Sequence, residues 1–215
     1  FGASIGHIPV RNKVMHDPSD LRPVGDAADR PASETEIEEM KRQIERGLER
    51  GALAVGFGLQ YTPAASRWEV LEIFRVAASY GASCHVHMRG MGHKEPLNSI
   101  EGLAEVIAAA SITGAPLHVV HIQSSGMRAT PRLLQMIEEA QSHGMDVTTE
   151  CYPYTAGMTG IESAMFHEGW QDKLGIGYES VRAINPDVVY HYGASYGDSG
   201  PYSFKPAMHP IAGAL

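Results

Sequence analysis

Two stretches of the sequence decide the fold: Ala82-Ser83-Cys84-His85-Val86-His87-Met88 and Pro116-Leu117-His118-Val119-Val120-His121-Ile122. Both have the length of a β-strand, and the second is rich in the β-branched residues that strands favour. Two more apolar runs of strand length begin near residues 52 and 145, so four predicted strands start about 30 residues apart. That spacing is the length of a βα unit and predicts parallel strands covered by helices.

Helix-capping signals lie between these strands. The capping boxes Ser33 to Glu36 and Ser66 to Glu69 predict the starts of two helices. Asn98 predicts the start of a third, and Thr130 as N-cap before Pro131 predicts the start of a fourth. All four are expected to end at glycines, namely Gly51, Gly81, Gly114 and Gly144.

Alternating strands and helices leave two architectures open, a closed (β/α)8 TIM barrel and an open doubly wound sheet. No Gly-x-Gly-x-x-Gly turn follows the first predicted strand, which weakens the nucleotide-binding form of the open sheet. Periodicity alone does not choose between the two. A complete barrel needs about 250 residues, so a barrel in this chain would be a partial one, incomplete at both ends. The start at Phe1, without a Met, leads us to expect a piece of a longer protein.

The pattern changes beyond Gly157, where we expect an irregular C-terminal segment. Short helices are predicted over 161–170 and 178–184, a turn at 185–187 and a strand over 188–192. The remaining residues, from 193 onward, are rich in Gly, Pro and Ser and are expected to be poorly packed.

The composition excludes several classes of protein. Hydrophobic residues make up 43% and charged residues 20%, as in a globular protein rather than a disordered one. The net charge of −8 excludes nucleic acid and an anionic membrane as expected partners. No apolar run reaches the roughly 18 residues of a membrane span. With two cysteines and no disulfide framework, we expect a reducing, cytoplasmic location.

Histidines mark the ends of the two central predicted strands. His87 ends the first and His121 the second, and active sites of parallel α/β folds are built at these carboxyl ends. Two imidazoles from neighbouring strand ends can share a zinc ion. Strand parity puts His85 on the face of His87, but puts His118 and His121 on opposite faces. His121 comes later along its strand and is nearer the carboxyl end, so we favour it over His118 as the second ligand. The alternative is that these histidines are hydrogen-bonded packing residues.

The fourth predicted strand ends in Glu150-Cys151-Tyr152-Pro153-Tyr154, at the same rim. Cys151 is either a soft metal ligand or a small packing residue. Glu150 is either an acid–base group or a solvated carboxylate. The two tyrosines either offer hydroxyls to a substrate or pack the loop.

Several of these segments together resemble the N-acyl-D-amino-acid deacylase branch of the amidohydrolase superfamily. Their order and spacing extend over about residues 1–175. The matching segments are Gly6-His7, residues 51–61 (GALAVGFGLQY), His87-Met88-Arg89, Val120-His121 with Ser125-Gly126, and residues 152–157 (YPYTAG).

The resemblance implies a zinc-dependent (β/α)8 hydrolase that cleaves the amide bond of N-acyl amino acids. It makes His87 and His121 metal ligands, one or two Zn²⁺ ions the cofactor, and Tyr152, Arg89 and His7 substrate-binding residues. The family's His-x-His pair and metal-binding Cys would precede Phe1, and its catalytic Asp is not recognisable here. Met158 stands where the family has a substrate-binding Ser.

About 40 residues at the C-terminus, including Gly177 to Tyr190 and Tyr196 to Tyr202, resemble class III CoA-transferases. We therefore expect two domains, a partial amidohydrolase barrel over 1–175 and a CoA-transferase-like fragment or tail over 176–215. Such a chain is a chimera or a misassembled reading frame. The sequence favours an amidohydrolase fragment that is inactive alone. The alternatives are a CoA-transferase fragment and a non-catalytic α/β domain that self-associates through exposed strand edges.

Overall fold

The computed structural model describes residues 2–19, 22–92, 98–154 and 178–189. Contacts divide the chain into two units, Phe1–Met158 and Thr159–Leu215. The first unit contains the predicted βα repeats and is described first. The second is described through residues 178–189.

The strands of the first unit form one parallel sheet. Each strand pairs with the next in the sequence, in the order β1-β2-β3-β4-β5. The four predicted strands are confirmed as β2 to β5, whereas β1, which has two residues, was not predicted from the sequence. The bounds are β1 Ile5–Gly6, β2 Ala54–Gly58, β3 Ser83–His87, β4 Leu117–Val119 and β5 Val147–Thr149.

Helices separate the strands along the chain, as the capping signals predict. Two short 3₁₀ helices are also present: Leu59–Tyr61 follows β2, and Met127–Ala129 precedes α7. The α-helices of the first unit are α1 His7–Val14, α2 Asp26–Asp29, α3 Glu34–Glu49, α4 Arg67–Ser79, α5 Ser99–Thr113, α6 Ile122–Gly126 and α7 Thr130–Ser142.

The strand order decides between the two architectures that the sequence left open. A doubly wound sheet reverses its strand order at a switch point, whereas a βα barrel adds each strand beside the previous one. Here the five strands follow one another without reversal. Right-handed crossovers then place successive helices on one face, and α4 indeed packs against both α3 and α5. The described sheet is therefore the α/β arrangement of part of a barrel.

The hydrophobic core lies between the sheet and this helical layer. Cys84 and Val86 of β3 and Val119 of β4 are fully buried there, and Phe57 packs 5.1 Å from Phe74 of α4, measured between ring centres. Because side chains alternate along a strand, the intervening residues of β3 and β4 face away from the helices. Those intervening residues include His85, His87 and His118.

The capping predictions are confirmed in part. Ser33 and Glu36 form the complete capping box of α3, and Asn98 accepts hydrogen bonds from two amides of α5. Ser66 Oγ accepts from the amide of Glu69 at 3.0 Å, but the Glu69 carboxylate does not complete the box because it is engaged elsewhere. The prediction that Thr130 is the N-cap of α7 is wrong. Thr130 is the first residue of that helix, and Ala129 is its N-cap.

A buried ion cluster holds the Glu69 carboxylate inside the helical layer. His7 Nε2 lies 2.7 Å from Glu69 Oε1, and Arg11 Nη1 donates to the other carboxylate oxygen. All three side chains are fully buried. Arg11 also donates to the carbonyl oxygens of Ala27 and Arg30. The cluster thus ties α1 to the first turn of α4 and fixes the chain that leads from α2 to α3.

The described part of the second unit contains α8, Tyr178–Ile184, which confirms the predicted helix. The predicted turn is also present, with the amide of Val188 donating to the carbonyl of Asn185 at 3.1 Å. Val188 and Val189 are not in a strand, so the prediction of a strand over 188–192 is wrong for its described residues. The predictions for 161–170 and for 193–215 lie outside the described residues. Among the described residues, no helix is long and apolar enough to span a membrane.

We expect Glu69→Gln to lower the free energy of unfolding by about 3 kcal/mol, because the change leaves the buried Arg11 guanidinium without its counter-charge. Urea unfolding followed by circular dichroism measures this. Glu38→Gln is the matched control, since Glu38 pairs with Lys41 at the surface and should change stability by less than about 1 kcal/mol.

Acidification provides an internal check of this prediction. Burial opposes ionisation of Glu69, but His7 and Arg11 hold its pKa below the ordinary value of 4.5. Its ionised form therefore stabilises the fold above that pH, and the contribution is lost as the pH falls below it. The difference in the free energy of unfolding between the wild type and Glu69→Gln should therefore become smaller as the pH is lowered. Equal stabilities at pH 7 would contradict the role given to the cluster.

Candidate metal centre

The structure brings His87 and His121 together. His87 is the last residue of β3, and His121 follows the neighbouring strand β4 by two residues. Their ring centres are 4.4 Å apart, and the ring planes are nearly perpendicular, at 79°. The juxtaposition that the sequence predicts at this rim is therefore present in the structure.

The route by which His121 reaches this position differs from the prediction. The strand ends at Val119 rather than Ile122, and His121 adopts a left-handed conformation with φ of 34°. Parity was extrapolated from a continuous strand, so it wrongly put His118 and His121 on opposite faces. Because the chain leaves the strand before His121, both rings lie beside β3 histidines, His118 at 4.9 Å from His85.

Glu150 supports the turn at His121. Its carboxylate accepts a hydrogen bond from the His121 amide at 3.1 Å, and its carbonyl accepts from the Ile122 amide at 3.0 Å. A left-handed non-glycine residue is uncommon and persists where the surroundings fix it. The end of β5 therefore helps to set the direction of the His121 ring.

The environment of His87 keeps its imidazole neutral. Burial penalises the charged form and His121 adds a like charge, which together lower the pKa of His87 to about 4. A neutral imidazole has the lone pair that a metal ion needs. Tyr61 lies 5.3 Å from His87 and Tyr152 lies 6.0 Å from His121, measured between ring centres. The two histidines thus have an aromatic residue on either side.

The donor chemistry of this pair fits zinc. Nδ1 of His121 is buried and has no hydrogen-bond partner among the described residues, and the same is true of Gln123 Oε1. Buried polar atoms without partners are costly, and an ion, water or ligand can satisfy them. His7 Nδ1 and Asn12 Oδ1, in α1, are also unpaired among the described residues. In the described part of the chain, however, no group of three or more His, Cys, Asp or Glu side chains could hold a metal. Two imidazoles are one fewer than the three protein ligands usual at catalytic zinc, so the metal-binding role of the pair stays a prediction.

The other predicted substrate-binding residues have different surroundings. Tyr152 adjoins the histidines, whereas His7 belongs to the buried cluster with Glu69. Arg89 is also buried: it donates to the carbonyl oxygens of Pro63 and Ala65, and its Nε lies 2.8 Å from a Glu105 carboxylate oxygen. The structure therefore gives His7 and Arg89 scaffold contacts, and their substrate-binding role stays a prediction.

Tyr61 lies beside His87 but was not predicted from the sequence as a site residue. It belongs to the 3₁₀ helix directly after β2, which places it at the same rim as His87. Its position after a strand end was the signal that could have identified it. Cys151 is exposed and free, and Met158 lies outside the described residues.

Comparisons with known proteins confirm the resemblance to deacylases. The chain is 28% identical over 160 residues to D-aminoacylase from Alcaligenes xylosoxydans xylosoxydans, a match that covers 72% of this chain. It is 30% identical over 163 residues to N-acyl-D-glutamate deacylase from the same organism, which covers 73% of this chain. In both cases the match spans 30% of the relative's own length.

Solved structures of deacylases also resemble this chain in fold. A crystal structure of D-aminoacylase, described as defining a subset of amidohydrolases, aligns with a TM-score of 0.59 and 25% identity, over 72% of this chain and 30% of that one. N-acyl-D-glutamate deacylase from Bordetella bronchiseptica, complexed with zinc and a phosphonate inhibitor, aligns with a TM-score of 0.59 and 26% identity, over 71% and 30%. The predicted α/β class and its partial-barrel architecture are confirmed.

A different family matches the C-terminus. The model of CoA-transferase family III matches residues 163–215, which confirms the second resemblance seen in the sequence. The predicted domain boundary near residue 175 stays a prediction.

We expect Glu150→Ala to loosen the turn at His121 while Glu150→Gln, which keeps an acceptor oxygen, preserves it. A hydrogen bond of this kind is worth about 1 kcal/mol net, so amide exchange at His121 should be about fivefold faster in the alanine variant. Hydrogen exchange followed by NMR measures this. Equal exchange rates in the wild type and in both variants would show that the carboxylate does not hold the turn.

Proposed function

We propose that this chain carries part of the active site of a zinc-dependent amidohydrolase that cleaves the amide bond of N-acyl amino acids. The observation that carries the proposal is the placement of His87 and His121 at adjacent ends of parallel strands, 4.4 Å apart between ring centres. The similarity to D-aminoacylase and to N-acyl-D-glutamate deacylase supports the choice of reaction.

In this proposal His87 and His121 hold the metal. Zinc, when bound, lowers the pKa of a water molecule and polarises the scissile carbonyl. The neutral state of His87 keeps it ready to bind without first losing a proton at pH 7. Glu150 orients His121 through its backbone amide, so it acts on the site as a positioning residue.

Substrate recognition is assigned to the aromatic residues next to the histidines. Tyr152 lies beside His121, and Tyr154 lies 6.0 Å from Tyr152 between ring centres. By resemblance, Tyr152 binds the carboxylate of the amino-acid part of the substrate. Arg89 and His7 are held in buried ion pairs, so we propose that they contribute by fixing the loops around the site.

We expect the full chain to bind Zn²⁺, and the double variant His87→Ala/His121→Ala to lose one equivalent or to bind it at least tenfold more weakly. Each imidazole supplies one of the two protein donors that the described residues offer at this position, so removing both leaves none of these. Isothermal titration with zinc measures the change, and circular dichroism checks that the variant stays folded.

His143→Ala is the matched control, because His143 is an exposed histidine at the end of α7. Its zinc binding should equal that of the wild type. If the double variant also binds zinc like the wild type, then the hydrolase site is not formed in this chain.

A second candidate function, acyl-group transfer to or from coenzyme A, is favoured by the family match over residues 163–215. That match covers about a quarter of the chain, and only 178–189 of it is described. Retention of the full chain on a CoA resin, lost when residues 178–215 are deleted, would support this candidate. Zinc binding that depends on His87 and His121 supports the first.

A further inference from the structure

A second pair of imidazoles lies on the same face of the sheet as the first. His85 of β3 and His118 of β4 are register partners in the parallel ladder. Their ring centres are 4.9 Å apart and their planes are inclined at 43°. Both side chains are partly exposed, unlike the core residues Cys84 and Val119 that alternate with them. Within the described residues, the pair therefore lies on the face of the sheet opposite the helical layer.

A hydroxyl group fixes each ring of this pair. Ser83 Oγ lies 3.0 Å from His85 Nε2, and Thr148 Oγ1 lies 2.8 Å from His118 Nδ1. Each hydroxyl engages one nitrogen, so the other nitrogen of the ring is the one that can bind a cation. Support of this kind, a hydrogen bond to the nitrogen that does not bind metal, is what orients histidine ligands in metal sites.

The separation of the rings suits a shared ion. A Zn–N bond of about 2.0–2.1 Å puts the metal about 3.2 Å from each ring centre, so two rings at a tetrahedral angle have centres about 5 Å apart. The observed 4.9 Å agrees with this value.

We propose that His85 and His118 form a second binding site for a borderline divalent cation, Zn²⁺ or Cu²⁺, that clamps β3 to β4. Imidazole is a suitable ligand for both ions. The proposal rests on the geometry of this pair and does not depend on the proposed hydrolase activity.

This site is separate from the one formed by His87 and His121. His85 and His87 are two residues apart on one strand, which places their Cα atoms about 7 Å apart. Metal ions that share a bridging ligand in two-metal catalytic sites are about 3.5–4 Å apart. A cation on His85 and His118 would thus be an independent, structural ion.

Titration of the full chain with ZnCl₂, and separately with CuCl₂, tests the proposal. We expect the double variant His85→Ala/His118→Ala to lose one equivalent of bound metal, or at least tenfold in affinity, and to retain the binding that depends on His87 and His121. His143→Ala serves again as the control histidine. Saturating zinc should also raise the urea midpoint of the wild type more than that of the double variant, because an ion bound only to the folded state stabilises it.

Single variants keep the test valid if the double variant fails to fold. His85→Gln and His118→Gln can each still contact the neighbouring hydroxyl but remove the imidazole, and each should weaken the site. Metal binding equal to that of the wild type in both would overturn the proposal. If the His87/His121 variant binds like the wild type while the His85/His118 variant loses an equivalent, the hydrolase proposal fails and this one stands.

Discussion

The register between β3 and β4 is the constraint on which the rest of the structure depends. Pairing of His85 with His118 puts Cys84 opposite Leu117 and Val86 opposite Val119, and these four apolar residues are at most 1% exposed. A slip of one residue would turn each strand over relative to its partner. Imidazoles would then enter the helical core, where burying a polar group without a partner costs roughly 1–3 kcal/mol. Packing of small apolar side chains on one face thus determines which histidines meet on the other.

Buried polar groups have different neighbours in the helical layer and at the rim of the sheet. On the helical side, the buried carboxylate of Glu69 has its charge matched by Arg11 and has His7 as a further partner. At the rim of the sheet, Nδ1 of His121 is buried and has no partner within the described residues. Nδ1 of His7 is also buried without a partner among the residues that the structure describes, so the neighbours separate scaffold from site: His7 pairs with a carboxylate through Nε2, whereas His121 lies against the imidazole of His87. Histidine content alone does not make this distinction, because His7 and His121 are the same residue type.

Much of the fold followed from the sequence because its signals are local. Strand length, βα spacing and the capping residues Ser33 and Asn98 each depend on neighbouring residues, and the structure confirms them. The capping box at Ser66 was completed only in part, because a tertiary partner, Arg11, competes for the Glu69 carboxylate. The strand β1 was missed because two residues are too few to show a period.

The candidate site was predicted less well, for a similar reason. The meeting of His87 and His121 followed from the rule that parallel strands end at one edge. The left-handed turn that aims His121 could not be foreseen, since it depends on Glu150, a residue 29 positions away on the next strand. The parity argument failed at His121, which is one of three non-glycine residues with positive φ in the described part of the chain. Strained backbone is often found at functional sites, so the point at which local rules fail is itself informative about function.

The arrangement of side chains at the rim follows from the architecture. In a parallel barrel the carboxyl ends of the strands meet at one rim, so neighbouring βα units bring their side chains to a shared centre. In the described residues, β3 contributes His87 and the segment after β4 contributes His121, while β2 and β5 contribute the neighbouring Tyr61 and Tyr152. The strand ends on either side of the pair thus present aromatic rings, which suit binding of a substrate better than binding of a metal. Four consecutive units therefore provide a two-donor site flanked by aromatic residues, and a catalytic zinc centre requires at least one further ligand from elsewhere.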